Sequence, residues 1–188
     1  MGKGRLEAFS DGVLAIIITI MVLELKVPHG DDLAALLPLC PVFVGYVVSF
    51  LYVAIYWNNH HHLLHTVKTV TPGVMWANML LLFCLSLFPF ITSWCGENPH
   101  ASWPAALYGM VLLSAGLSYT VLQSAIIRGG GVLQKAIGAD VKGKLSLVIY
   151  AAGIPLAFVN PMIAEIAFVI VALIWVVPDP RIARLMGE

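Results

Sequence analysis

Long apolar runs separated by short polar segments dominate this 188-residue sequence. A helix needs about 20 mainly apolar residues to cross roughly 30 Å of hydrocarbon, and six runs qualify. They cover residues 8–27, 33–57, 73–94, 103–127, 145–159 and 162–177. The fifth run is short and contains Pro155, which membrane helices tolerate because neighbouring groups satisfy the carbonyl that proline leaves free. The pattern predicts an all-α integral membrane protein with six transmembrane helices in one domain, residues 1–188.

Composition supports lipid as the solvent for most of the chain. Hydrophobic residues make up 60% of the sequence and charged residues only 11%, against roughly 25% charged residues in a soluble domain. The mean hydropathy is +0.93, and a small soluble fold lacks the interior volume to bury so many apolar side chains. The net charge is zero, so the sequence has no electrostatic footprint for nucleic acid.

The basic residues predict the orientation. With a cytoplasmic N-terminus, nine basic residues lie on the inner side and only Lys26 lies outside, which is a strong positive-inside asymmetry. The inner set is Lys3, Arg5, Lys68, Arg128, Lys135, Lys142, Lys144, Arg181 and Arg184. We therefore expect a multi-pass protein of the cell membrane with both termini in the cytoplasm.

Polar residues near the start of the first span have two interpretations. Ser10 and Asp11 are good N-caps, since their side-chain oxygens can accept from free backbone donors. The preceding residues are themselves a good helical start, however, and that places Asp11 inside the helix near the inner membrane face. A carboxylate there needs a cation or several donors, and Arg5 is the nearest basic candidate.

A histidine cluster ends the second span. His60, His61, His62 and His65 follow Trp57, and His61 and His65 would share one helix face and could chelate a metal. No second His/Glu box appears elsewhere in the sequence. We expect the cluster to donate hydrogen bonds to neighbouring helices, and we expect no metal and no cofactor.

The arrangement of these residues resembles one known family. Arg5-x-x-x-Phe9-Ser10-Asp11, at the start of the first of six spans, is similar to the Arg-x-x-x-Phe-Ser-Asp signature of the lysosomal potassium channel family. The stretch Trp57-x-x-His60-His61 at the end of the second span is also like that family. One signature in 188 residues resembles a prokaryotic one-repeat member. The tripeptide Val44-Gly45-Tyr46 lies inside an apolar run, without the flanking residues of a potassium-channel filter loop, and we interpret it as chance.

The resemblance implies a potassium-preferring cation channel, and not an enzyme. It implies a homotetramer of six-helix subunits around a central pore lined by the first helix. Carried over, the signature places Arg5, Phe9, Ser10 and Asp11 in an inter-helix network with Trp57 and with His60 or His61. The family's constriction begins five residues after the signature aspartate, at Ile16, and continues through Thr19, Ile20 and Leu23.

The first helix has the spacing for such a role. Ile16, Ile20 and Leu23 share one stripe, about 10 Å long at 1.5 Å per residue. A narrow apolar ring excludes water and gates by dewetting, while Thr19 hydroxyls or backbone carbonyls replace part of a cation's hydration shell. Potassium holds its water less tightly than sodium, so we expect a modest preference for potassium over other monovalent cations. Four copies of Glu24 would concentrate cations at the outer mouth, although a carboxylate that reaches the interface explains Glu24 as well.

Two other functions fit the residues. A proton-coupled small-solute transporter would use Glu24 or Asp11 as its titrating carboxylate, although paired interrupted helices, the usual indication of a transporter site, are absent from the sequence. A membrane metal enzyme would use the histidine cluster. Passive potassium current distinguishes the channel from both.

Overall fold

Each apolar run folds as a helical span in the computed structural model, which describes residues 2–128 and 140–177. The helices are α1 (Lys3–Leu23), α2 (Cys40–His65), α3 (Pro72–Leu85), α4 (Phe88–Glu97), α5 (Ser102–Arg128), α6 (Val141–Val159) and α7 (Pro161–Val176), with a 3₁₀ helix (Leu33–Leu39) before α2. The prediction of an all-α membrane protein is confirmed. Three of the basic residues used for the orientation, Lys135, Arg181 and Arg184, lie outside the described residues.

Prolines and small polar side chains set the helix starts. Thr71 and Asn160 accept hydrogen bonds from backbone amides three residues ahead, at 3.3 Å in each case, and Pro72 and Pro161 follow them directly. A proline in the first turn lacks only an N–H that would have no partner there. Asp140 caps α6 in the same way through Gly143 N, at 3.2 Å. Local chemistry therefore fixes these boundaries.

The third span is broken, which the apolar pattern does not predict. The break lies between α3 and α4, where Leu87 N donates to Cys84 O in a tight i→i−3 turn. Pro89 stands in the first turn of α4 and has no N–H to continue the helical ladder from Leu85. Two shorter helices therefore complete the third crossing.

The fifth span is longer than the apolar pattern predicts, and the sixth has the predicted length. The fifth, α6, has 19 residues and continues past Pro155. It is longer than its apolar run because the Asp140 cap starts the helix at Val141. The shortest span is α7, with 16 residues, about 24 Å at 1.5 Å per residue. The tripeptide Val44-Gly45-Tyr46 lies within the continuous helix α2.

Helices pack in two groups that share α3 and α4. One group is α1 with α2, α3 and α4, and the other is α5 with α3, α4, α6 and α7. The contact of α2 with α4 is close at Gly96, where an added Cβ would lie 2.7 Å from Val42 Cα. The outward surface carries large exposed apolar side chains, including Val44, Trp76 and Phe83, as a lipid solvent requires. Among the described residues, five helical spans are long and apolar enough to cross a membrane, and Pro161–Val176 is a shorter apolar helix.

Candidate functional site

The first helix has one buried face and one exposed face. Its buried residues are Leu6, Ser10, Leu14, Ile17 and Met21, which recur every three or four positions and pack against α2, α3 and α4. At 3.6 residues per turn these positions form a single stripe. The helix is therefore held by the bundle along one side over most of its length.

The exposed face carries the predicted constriction. Phe9, Ile16, Ile20 and Leu23 are 48%, 57%, 40% and 79% exposed, and Thr19 is exposed between them. Ile16 is two residues from the buried Leu14, so the two side chains point about 200° apart. The chain thus presents an apolar stripe that its own bundle does not cover.

Thr19 presents an oxygen on that stripe. Its hydroxyl donates a 2.9 Å hydrogen bond to Ile16 O. Because the proton is used within the helix, the lone pairs of Oγ1 remain available on the exposed side. The stripe therefore has one electronegative position among its apolar side chains.

Ser10 and Asp11 do not cap the helix. The helix begins at Lys3 with Gly2 as the N-cap, so both side chains lie more than one turn inside it. The capping interpretation is wrong because the preceding residues already form the first turns. Consecutive residues in a helix point about 100° apart, and the two side chains have partners on different helices.

Ser10 belongs to a buried hydrogen-bonded chain that joins three helices. His60 Nε2 lies 2.6 Å from Asn78 Oδ1, Asn78 Nδ2 donates to Ser10 Oγ at 3.0 Å, and Ser10 Oγ donates to Leu6 O at 2.9 Å. The relative exposures of Ser10, Asn78 and His60 are 0%, 0% and 2%. Every member therefore finds its partner within the bundle.

The direction of this chain follows from its last acceptor. The Leu6 carbonyl can only accept, so the Ser10 hydroxyl donates to it and accepts from the Asn78 amide. Asn78 Oδ1 is then left to accept, so His60 carries its proton on Nε2. Sequence reasoning missed Asn78, although a lone asparagine within an apolar span was the available signal.

Asp11 bonds to the second helix. Trp57 Nε1 donates to Asp11 Oδ1 at 2.9 Å, and the His61 ring stacks on Trp57 with centroids 6.3 Å apart. Asp11 and Trp57 are both exposed. A second, outer contact between α1 and α2 therefore lies beside the buried chain.

Arg5 does not reach Asp11. The two residues are six positions apart, which is about 240° around a helix, and the exposed Arg5 side chain has no hydrogen bond or ion pair with any described residue. Lys3 instead ties the start of α1 to the end of α2, with Nζ 2.9 Å from His65 O. Phe9 points to the exposed face with Ile16. The structure thus brings together Ser10, Asp11, Trp57, His60 and His61, and leaves Arg5 and Phe9 apart from them.

The histidine side chains of the cluster point in different directions. His60 points into the bundle, whereas His61 and His65 are exposed, with ring centroids 4.8 Å apart and edges facing. Within residues 2–128 and 140–177, no group of three or more His, Cys, Asp or Glu side chains is placed to hold a metal ion.

The far end of α1 is tied to α4. Glu24 Oε2 accepts a 3.1 Å hydrogen bond from Ser93 Oγ, and Lys26 forms an ion pair with Glu97. The hydrogen bond from Lys26 to Glu97 raises the pKa of the lysine, and the negative charge of Glu97 adds to that effect. Both ends of α1 are therefore attached to the bundle, while the stripe between them is uncovered.

Comparison with known proteins gives related chains over the whole length. The sequence model of the family described as endosomal/lysosomal potassium channel TMEM175 matches residues 5–89. A protein of Chryseobacterium sp. (strain P1-3) named as a potassium channel is 52% identical, with 100% of both chains covered. One of Streptomyces collinus, also named as a potassium channel, is 32% identical over 91% of this chain and 90% of its own.

A solved structure has the same fold. The crystal structure of a lysosomal potassium-selective channel TMEM175 homolog from Chamaesiphon minutus superposes with a TM-score of 0.80 at 27% sequence identity. The match covers 93% of this chain and 96% of that one.

Proposed function

Because this chain belongs to the TMEM175 family of potassium channels, we propose that it conducts potassium ions passively across the cell membrane. The observation that carries the proposal is the stripe of Ile16, Thr19, Ile20 and Leu23 on the uncovered face of α1. A face that the described residues of its own subunit leave largely uncovered is available to line a path shared between subunits.

We propose that four copies assemble with this stripe toward a common axis. Stacked rings of Ile16, Ile20 and Leu23 would then form a throat about 10 Å long. A ring of such side chains excludes water when it is narrow, so small movements of α1 open or close the path by wetting. The contacts at both ends of α1 are the means by which the bundle sets that position.

Selectivity in this arrangement comes from dehydration. A cation that enters an apolar ring loses part of its hydration shell, and potassium loses water at a lower cost than sodium. The lone pairs of Thr19 Oγ1 replace part of that shell. The throat therefore favours potassium over sodium and other monovalent cations, with less discrimination than a cage of backbone carbonyls provides.

We further propose that both termini are cytoplasmic. Lys3, Arg5, Lys68 and Arg128 lie at the end of the bundle where α1 begins, and Lys26 lies at the opposite end. Lysine and arginine accumulate in cytoplasmic loops. In a cysteine-free background, an impermeant maleimide added to intact cells should label Asp31→Cys and not Lys68→Cys, and the reverse labelling would overturn the orientation.

The experiment that tests the channel is electrical. Purified protein in a planar bilayer, with potassium on one side and sodium on the other, should carry current with a reversal potential displaced toward potassium equilibrium. Transport that requires a proton gradient, at turnover rates with no resolvable current, would instead indicate a transporter that uses Asp11 or Glu24.

Ile16→Asn makes this experiment specific for the throat. A polar ring holds water, so leak should rise and the preference for potassium should fall. The matched control is Ile166→Asn on α7, because Ile166 is similarly exposed, at 52% against 57%, and lies far from α1 in the chain. Equal currents from the two variants would exclude Ile16 from the path.

A further inference from the structure

A cavity lies inside the subunit on the side away from α1. It is lined by residues of α2, α5, α6 and α7, in the half of the bundle where α1 begins, and no residue of α1 contributes to it. The space in which the centre of a water-sized molecule fits is about 70 Å³. A single water molecule needs roughly 10–15 Å³ by the same measure, so the cavity has room for several. It is therefore separate from the proposed throat.

Two polar groups of the cavity wall have no hydrogen-bond partner in the part of the chain that the structure describes. Gln123 is 8% exposed and lines the cavity, yet its side-chain amide makes no hydrogen bond to any described residue. The same holds for the hydroxyl of Tyr56, on the facing helix α2. Both groups retain some accessible surface at the cavity, so a polar occupant can pair with them.

Aromatic rings and one carboxylate set the chemistry of that occupant. The rings are those of Tyr52, Tyr56, Tyr119, Tyr150 and Trp175, and the charged member of the lining is Asp140. Aromatic faces attract cations, and Trp175 already carries one, with Lys142 Nζ 4.9 Å from its centroid. No basic side chain lines the cavity among the described residues.

We propose that this cavity binds a small organic ammonium ion. Its apolar part lies among the rings, and its N–H groups donate to the Gln123 amide oxygen and the Tyr56 hydroxyl oxygen, with the charge balanced by Asp140. The hydrogen bond from the Asp140 side chain to Gly143 N uses one lone pair and leaves the negative charge in place. This binding does not depend on the proposed conduction path.

The cavity lies next to the residues of α2 that hold α1 in place. Asn59 of α2 lines the cavity, and its backbone carbonyl accepts a 3.2 Å hydrogen bond from Tyr119 of α5. Trp57, two residues earlier on α2, bonds to Asp11 of α1, and His60, the next residue, reaches Ser10 of α1 through Asn78. An occupant that shifts α2 relative to α5 therefore also moves the residues of α2 to which α1 is attached.

Benzylammonium and benzyl alcohol are the test pair, because they share a ring and differ in charge. Calorimetry on the purified full-length protein should give one saturable benzylammonium site per chain. Benzyl alcohol should bind at least tenfold more weakly. Equal affinities, or no saturable binding of the ammonium, would overturn the proposal and leave a cavity that holds water only.

Three variants locate the site. Asp140→Asn keeps the cap on α6 and removes the charge, and Gln123→Leu keeps the size and removes the amide, so each should weaken benzylammonium binding at least fivefold. Ser114→Ala, on α5 outside the cavity, should bind as the parent does. Thermal unfolding of each variant confirms that it is folded. If binding is lost in Ile16→Asn but kept in Asp140→Asn and Gln123→Leu, the ammonium binds in the throat, and the cavity proposal fails while the channel proposal stands.

Discussion

Trp57 Nε1 donates a 2.9 Å hydrogen bond to Asp11 Oδ1 and so links the second helix to the helix that carries Ile16. Asp11 lies five residues before Ile16, about 7.5 Å along the axis. The contact is exposed. Ser10, the residue before Asp11 on α1, instead ends the buried hydrogen-bonded chain that runs from His60 through Asn78. Two contacts of different character therefore hold α1 at the same level.

The exposed contact should influence gating more than selectivity. Trp57→Phe keeps an aromatic ring but removes the N–H donor together with part of the indole, so we expect a loss of about 1 kcal/mol in stability from the hydrogen bond and an altered open probability. The reversal potential between potassium and sodium should not change, because Trp57 is on α2 and is not part of the proposed throat. Asp11→Asn should behave similarly, and single-channel recording measures both quantities.

Trp76→Phe is the matched control for the indole. Trp76 is 71% exposed on α3, and its side chain makes no hydrogen bond to any described residue. If Trp76→Phe alters the open probability as much as Trp57→Phe does, the hydrogen bond to Asp11 has no specific part in gating.

The buried chain should contribute more to stability. Asn78→Ala leaves the Nε2 proton of His60 unpaired and buried, at a cost of roughly 1–3 kcal/mol. Asn58→Ala should cost much less, because Asn58 is only half-buried and its side chain has no partner among the described residues. Unfolding by denaturing detergent measures both values. A double variant with Ser10→Ala should show non-additive losses, and strictly additive losses would mean that Ser10 and Asn78 do not act together.

Thr19 should contribute to ion preference. Thr19→Val keeps the shape of the side chain and removes the oxygen that faces the stripe, so we expect a lower potassium-to-sodium permeability ratio in bi-ionic recordings. Thr66→Val is the matched control, since Thr66 makes the same hydrogen bond to a carbonyl three residues earlier, at 2.7 Å, and lies outside the exposed stripe of α1. A ratio that falls equally in the two variants would remove Thr19 from the proposed filter.

Glu24 should attract cations at the far end of α1. At an ionic strength of roughly 10 mM, where the Debye length is about 30 Å, Glu24→Gln should lower the potassium conductance measured from that side. At about 1 M salt the difference should disappear, because screening then acts within about 3 Å. Asp31→Asn, in the exposed loop after α1, controls for net charge. Unchanged conductance at low salt would exclude a role for Glu24 in attracting cations and leave it only its hydrogen bond with Ser93.

The sequence predicted the number of spans and most of their limits because a helix that crosses the hydrocarbon needs about 20 mainly apolar residues. It did not predict the break between α3 and α4, since a proline inside an apolar run is compatible with a continuous membrane helix. It also did not give α6 its full length. The start of α6 depends on the side chain of Asp140, a polar residue that lies outside any apolar pattern.

The signature residues and Trp57 were recognisable in the sequence, but Asn78 and the pairing of each residue with its partner were not. Ser10 and Asp11 are adjacent, yet one points to Asn78 on α3 and the other to Trp57 on α2. Asn78 is distant in the chain and has no motif around it. Arg5, the nearest basic residue to Asp11 along the chain, lies on another side of the helix, because helical rotation decides which residues meet.

By itself, then, the sequence determined that this chain is an integral membrane protein, how often it crosses the membrane, and which family its first helix resembles. Tertiary structure alone decided which face of α1 is covered. An apolar helix has apolar residues on all sides, and hydropathy cannot distinguish Leu14 and Ile17, which are buried, from Ile16 and Ile20, which are not. That choice depends on where α2, α3 and α4 lie around the helix, and their positions follow from packing between segments far apart in the chain.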